Sequence, residues 1–342
     1  MKKIFSLASV AIMALSINAQ NLLLEEYFEY EAGTNLITDT ITLSDNIDGV
    51  TGWSTVANDN SGKTRFTIAD APLIYEGYAG SGMGNALLFT PQSKSGQSVF
   101  KNWGHGVLND STIYIAFMIQ FPKQTVNYSS PDYFMGIKME PTATSKNFAG
   151  RLYASVEAMD EITGAPFTGQ EISFGINKSS DGKAEWTNPE NEPYFTFDET
   201  YLIVMKYHVG KLNGKTAAEE KGNYDDEMWL YINPTLGAEP ATANLYQKDP
   251  NGKDAYRLSG SGKEMGSLRG FYLRGGEPGK ANTIAPYIID GIRVGYAWED
   301  IIGKQTALDN TRAEAKAVKS IENGQLVIRR GNATYTVLGT EL

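Results

Sequence analysis

The 342-residue chain has no cysteine and only two histidines, at positions 105 and 208. Without cysteine there is no disulfide framework, no thiolate zinc site, no cysteine nucleophile and no lipid-modified cysteine at a processed N-terminus. Two histidines leave almost no room for a histidine-rich metal centre or a proton relay. Basic residues are outnumbered 30 to 40, and the net charge of −10 argues against nucleic acid and anionic membrane as partners. Amphipathic helical periodicity is nearly absent before residue 300, which removes βαβ architectures. No unit recurs at fixed spacing, which removes propellers and solenoids. Beyond the N-terminus no apolar stretch is long enough to cross a membrane.

What is present begins with a targeting segment. Lys2 and Lys3 precede an apolar stretch from Ile4 to Ile17, and Ser16-Ile17-Asn18-Ala19 offers a small residue at the cut. Residues 1–19 read as a signal peptide, with Gln20 starting the mature chain. The apolar run is too short for a comfortable membrane anchor. The expected location is therefore secreted or cell-surface, with the secretion machinery as a partner during export.

The body reads as strands. β-branched and aromatic residues persist through 111–121, and shorter runs of this kind occupy 22–30, 64–68, 86–90, 133–139, 151–157, 171–177, 201–209, 227–232, 268–273 and 287–294. Several are apolar on both faces, as in Tyr201-Leu-Ile-Val-Met205, so they belong between two layers. The expected fold is all-β: a two-sheet β-sandwich of jelly-roll type filling 20–303, followed by a linker at 304–320 and a small C-terminal β-hairpin at 321–342.

Four segments resemble secreted concanavalin A-like, laminin-G-like jelly-roll proteins of Bacteroidota. They are Leu24-Glu-Glu-Tyr-Phe-Glu-Tyr30 with Gly33 and Gly52-Trp53; Ile74-Tyr-Glu-Gly-Tyr78 with Ser81-Gly-Met-Gly-Asn85; Asp226-Glu-Met-Trp-Leu-Tyr-Ile-Asn-Pro234; and Ile289-Asp-Gly-Ile-Arg-Val-Gly-Tyr-Ala-Trp298. The resemblance implies paired N- and C-terminal strands and a concave face often used for carbohydrate. It also implies a structural Ca²⁺ that ties the first strand to the last through acidic residues, here Glu26 and Asp290, set against the simpler role of Asp290 as the cap of a bulge. The tail, Ile321-Glu-Asn-Gly-Gln-Leu-Val-Ile-Arg-Arg-Gly331 and Tyr335-Thr-Val-Leu-Gly339, resembles a short C-terminal sorting segment of type IX secretion cargo.

Local catalytic motifs are lacking. Glycan hydrolases of this fold use paired carboxylates on one strand, whereas Glu157-Ala-Met-Asp-Glu161 has the wrong order and spacing. Ser259-Gly-Ser-Gly-Lys263 is followed by Glu264, not by the hydroxyl residue of a phosphate loop. Sugar binding needs exposed aromatic platforms with polar groups around them. Trp53, Trp229 and Trp298 fall in strand motifs and read as core. Trp103 and His105, in Asn102-Trp-Gly-His-Gly106, and Trp186, near Asn188 and Tyr194, fall in loop-like contexts and are the candidate ligand-binding residues. The expected function is a non-catalytic extracellular binding protein whose ligand is a polysaccharide or surface glycan. The alternatives are a glycan-cleaving hydrolase or lyase, and a surface adhesin.

Overall fold

The computed structural model describes residues 22–37, 52–56, 66–91, 98–107, 110–124, 126–128, 131–138, 148–157, 171–178, 184–187, 195–210, 226–248, 268–276, 283–303, 318–322, 325–330 and 333–336. In chain order the first strands are β1 (Leu22–Glu26), β2 (Ser54–Thr55), β3 (Phe66–Ile68), β4 (Leu87–Phe89), β5 (Val99–Val107), β6 (Ser111–Gln120), β7 (Tyr133–Lys138), β8 (Phe148–Val156) and β9 (Ile172–Asn177). Then come β10 (Glu185–Trp186), β11 (Thr200–Val209), β12 (Glu227–Ile232), β13 (Leu245–Gln247), β14 (Leu268–Leu273), β15 (Tyr287–Gly295), the helix α1 (Trp298–Ile302), and β16 (Val318–Glu322), β17 (Gln325–Arg330) and β18 (Ala333–Thr336).

An eight-stranded sheet has the order β13-β12-β11-β6-β15-β4-β3, with β1 along the later part of β15. A seven-stranded sheet has the order β10-β9-β8-β7-β14-β5-β2. All pairings are antiparallel, giving the two-sheet jelly-roll sandwich expected from the strand pattern. Strand alternation builds the core. On β6, Ile113, Ile115, Phe117 and Ile119 join Ile137, Leu152, Phe174 and Phe271 of the other sheet. Phe117 meets Phe271 edge-on at 5.9 Å between ring centroids.

The opposite face of β6 is also dry. Tyr114, Ala116 and Met118 pack with Leu202 and Val204 of β11 beneath Trp298, Ile301 and Ile302 of α1 and Leu73 and Tyr78. The runs that are apolar on both faces therefore sit between the opposing sheet and a partial third layer. The Trp298 indole fixes that layer, donating from Nε1 to the Gly237 carbonyl at 2.8 Å and meeting Tyr231 edge-on. Among the described residues no helix is long and apolar enough to cross a membrane.

The C-terminal strands form their own antiparallel meander, β16-β17-β18. The sequence suggested two strands starting at 321. β16 starts at Val318, inside the segment read as linker, where an alanine-rich run hides the strand.

Two buried carboxylates hold the closing strands. Glu26, at the end of β1, is 4% exposed. Its Oε1 accepts the Phe28 N–H at 2.8 Å, and its Oε2 accepts from Tyr30 OH, Trp53 Nε1 and Lys101 Nζ at 3.0, 2.9 and 2.5 Å. Lys101 lies on β5, so this carboxylate joins one sheet to the other. Asp290 sits in a bulge of β15, where the register against β6 shifts between Asp290 and Arg293. Its Oδ1 accepts the Gly291 N–H and its Oδ2 the Leu73 N–H. Gly291 has φ +60°, and a Cβ there would fall 2.5 Å from the Gly80 carbonyl oxygen, so the bulge needs glycine.

Two predictions follow from these groups. Glu26→Gln removes the charge that Lys101 pairs with in a largely buried setting and is expected to cost on the order of 3 kcal/mol. The check is a lower denaturant midpoint at unchanged m-value, with part of the loss recovered in Glu26→Gln/Lys101→Met. For Asp290, burial, opposed by its two backbone donors and reinforced by Glu26, pushes the carboxyl from 3.8 to about 8. Between those values the native protein holds a proton that the unfolded chain has lost. Asp290 thus lowers stability progressively as pH rises from about 4 to about 8. Thermal melts across that window should show Asp290→Asn gaining on wild type as pH rises, and parallel curves would refute this.

Candidate functional site

Of the ligand-site candidates singled out from the sequence, the side chains of Trp103 and Trp186 are described, one in the core and the other on an edge strand. Trp103 is 1% exposed on β5, its ring in the core and its Nε1 donating to the Leu268 carbonyl at 3.1 Å. This corrects the loop expected for 102–106. The glycines that look like a turn in sequence lie in a strand held by β14 across a register shift, and cross-strand pairing overrides local propensity there. Trp103 therefore offers no face to a ligand. His105 has its backbone in the same strand, but its side chain lies outside the described residues, as do Asn188 and Tyr194. Trp186 is the candidate found at the surface, 36% exposed on the edge strand β10.

Glu26 and Asp290 do not fit a calcium site. Calcium needs six to eight oxygen ligands with lone pairs to offer. Here Glu26 already accepts four protein donors, one of them an ammonium, burial holds Asp290 toward its neutral form with two backbone donors on it, and Tyr78 OH takes the Gly291 carbonyl next to Asp290. Among the described residues no group of three or more acidic or histidine side chains comes together. The bulge-capping role of Asp290 accounts for its contacts.

What surrounds Trp186 is a row of side chains on the outward face of the seven-stranded sheet. Trp186 pairs with Gly175 of β9, and Gly175 pairs with Tyr153 of β8. The indole lies flat on the Gly175 backbone, where a Cβ would fall 2.8 Å from ring atoms. Glycine therefore lets the Trp186 and Tyr153 rings come within 6.0 Å. Thr187 pins this short strand, its N–H donating to the Phe174 carbonyl and its Oγ1 accepting the Phe174 N–H. Further along, Tyr153 meets Tyr133 of β7 at 6.0 Å. The guanidinium groups of Arg151 and Arg274 lie 4.4 and 4.6 Å from the Tyr133 ring centre.

The two arginines differ in what they have left to offer. Arg274 donates from Nε to Asp132 Oδ2 and from Nη1 to Tyr133 OH at 2.9 Å, and Asp132 also receives the Tyr133 N–H. The Arg274–Asp132 pair is thus a fixed support. The Arg151 guanidinium packs on the Tyr133 ring and bonds the Tyr153 hydroxyl, while its Nε is sealed from solvent with no hydrogen-bond partner among the described residues. Burial raises the phenols of Tyr133 and Tyr153 above their ordinary value despite the nearby guanidinium charges. Both remain protonated at neutral pH, and each hydroxyl accepts a hydrogen bond from an arginine, Tyr133 from Arg274 and Tyr153 from Arg151. The row ends in a sealed aromatic cluster of Phe100, Phe148 and Tyr272 under which Lys138 is fully buried.

Chemically, the exposed end of the row offers ring faces for sugar C–H groups, phenol donors and a guanidinium fork for a carboxylate. Tyr133, Arg151, Tyr153 and Arg274 carry little local signature in the sequence because they come from β7, β8 and the residue that follows β14. The only local trace is the alternation Arg151-x-Tyr153-x-Ser155, which puts the three on one face.

No family model and no curated protein matches the sequence. Among solved structures the chain is similar to the alginate lyase Aly36B in complex with alginate trisaccharide, with 12% identity and a TM-score of 0.43 over 80% of this chain and 98% of that one. It is similar to an endo-β-1,4-glucuronan lyase from the fungus Trichoderma reesei, with 9% identity and a TM-score of 0.39 over 74% and 94%. It is also similar to the carbohydrate recognition domain of Emp47p, with 9% identity and a TM-score of 0.33 over 78% and 94%.

Proposed function

We propose that this protein is an extracellular glycan-binding protein whose site is the row from Trp186 to Arg151, and that a uronate residue of the glycan sits against Arg151. The observation behind this is the exposed Trp186 ring continuing into Tyr153, with the positive Arg151 guanidinium next along the row against Tyr133. A pyranose ring stacks on the indole, and the neighbouring sugar's carboxylate takes the Arg151 fork. On this reading the protein is exported by its leader, and the C-terminal meander is the sorting-type segment.

A second reading, cleavage of a uronate polysaccharide by β-elimination, draws on the same tyrosines and arginines. Elimination needs a base for the proton beside the carboxylate. Tyr133 and Tyr153 are held above the ordinary phenol value, which favours binding over proton abstraction.

The test is affinity electrophoresis and calorimetry against alginate, polygalacturonate and neutral laminarin. Trp186→Ala is expected to weaken uronate binding by about tenfold or more. Arg151→Gln is expected to abolish the preference for uronate over laminarin. Equal binding by both variants and wild type would sink the assignment. Appearance of an unsaturated, ultraviolet-absorbing product would move the protein to the lyase reading.

A further inference from the structure

We infer a second glycan site, for a neutral oligosaccharide, on the outward face of the eight-stranded sheet and hence on the opposite side of the sandwich. A pocket of about 570 Å³ lies there, lined by Lys206, Trp229, Tyr231, Glu239, Thr242 and Tyr246 with the small residues between them. Its size is that of ligand-binding clefts. It is independent of the row around Trp186.

The floor is set by register. Lys206 of β11 pairs with Trp229 of β12, and Trp229 pairs with Tyr246 of β13, so the three side chains stand abreast on one face. Toward the middle of the sheet this face is sealed by α1 and the Leu73–Tyr78 region. Toward β13 it is open. The Trp229 and Tyr246 rings lie 5.2 Å apart at 35°, making one broad platform, and Tyr246 is 48% exposed. Tyr246 OH donates to Glu227 Oε2 at 3.0 Å, which fixes the ring's orientation from its far edge. Trp229 is half-buried against the cluster under α1, and Tyr246 carries the aromatic surface out into solvent. The C–H face of a pyranose matches it.

The polar wall decides the ligand's charge. Glu239 Oε1 accepts from Lys206 Nζ at 2.8 Å and from Tyr231 OH at 2.7 Å, and its Oε2 accepts from Tyr114 OH at 2.8 Å. Burial alone would raise this carboxyl, but these donors hold it below the usual range, so it is ionised. Lys206 lies 4.7 Å from the Trp229 ring centre and pairs with that carboxylate. The two charges cancel, and an ionic sugar gains no attraction here. A neutral sugar's hydroxyls find the carboxylate and ammonium already oriented. The site around Arg151 and this one thus differ in the charge they select.

The experiment uses the full chain and tryptophan fluorescence titrations with cellohexaose, xylohexaose, mannohexaose, laminarihexaose and maltohexaose. At least one is expected to bind, with Tyr246→Ala weakening it by about tenfold. Thr242→Trp, which fills the mouth of the pocket from an exposed position, is expected to abolish binding. Trp186→Ala, on the other sheet, is expected to leave it unchanged. Unaltered melting temperatures establish that the variants are folded. The inference fails if none of the five binds, if Tyr246→Ala and Thr242→Trp both bind as wild type does, or if Trp186→Ala removes the binding.

Discussion

The structure depends on one buried carboxylate. Glu26 belongs to the first strand, yet its partners Trp53 and Lys101 come from the neighbourhood of the opposite sheet, so it sets where β1 lies relative to β5. Hydrophobic burial between two sheets is strong but tolerant of sliding. An ion pair reinforced by three further donors is not tolerant, because each donor left unmade in a dry interior costs free energy. The turn after Glu26 follows from the same demand. Phe28 adopts φ 47°, rare for a non-glycine residue, while its N–H reaches Glu26 Oε1 and its ring stacks on Trp53. Arg293 then ties β1 to β15 from the outside, donating to Glu25 and Tyr27 and to the Asp300 and Ile301 carbonyls of α1.

The two faces of the sandwich are used differently. The eight-stranded sheet is roofed by α1 over its centre, leaving Trp229 half-buried and Tyr246 exposed at one side. The seven-stranded sheet carries its own aromatic cluster, and among the described residues its aromatic row reaches the surface at Trp186. In each case a strand-to-strand row of side chains runs from sealed to open, so the buried part fixes the exposed part with little freedom to reorient. Such preorganisation favours recognition, since a rigid ring platform loses little entropy on binding.

The strand content was legible in the sequence because β6 and β11 are built from β-branched and aromatic residues on both faces, a pattern that no surface helix produces. The role of Asp290 as a bulge cap was also within reach, because Asp-Gly inside a strand run marks a bulge. Trp103 was not legible: its glycine neighbours have turn chemistry, and only the pairing with β14 makes them a strand. Trp229 was expected in the core, and alternation along Met228-Trp229-Leu230 places it half-buried against the cluster under α1 rather than between the sheets; only the partner strands reveal which parity faces the opposing sheet. Both sites are assembled from residues of several strands. Their neighbours are fixed by register, and register depends on contacts far apart in sequence.

The placement of β14 and β15 has a consequence for how the chain reaches this state. Each is among the last strands of the sandwich to be synthesised, and each lies inside its sheet: β14 between β7 and β5, β15 between β6 and the pair β4 and β1. Until both have left the ribosome, neither sheet can close, and the inner edges of β5, β6 and β7 wait without their partners. Pairs made wholly upstream, such as β6 with β11 and β8 with β9, need neither strand, but completing both sheets waits on contacts that are distant in sequence.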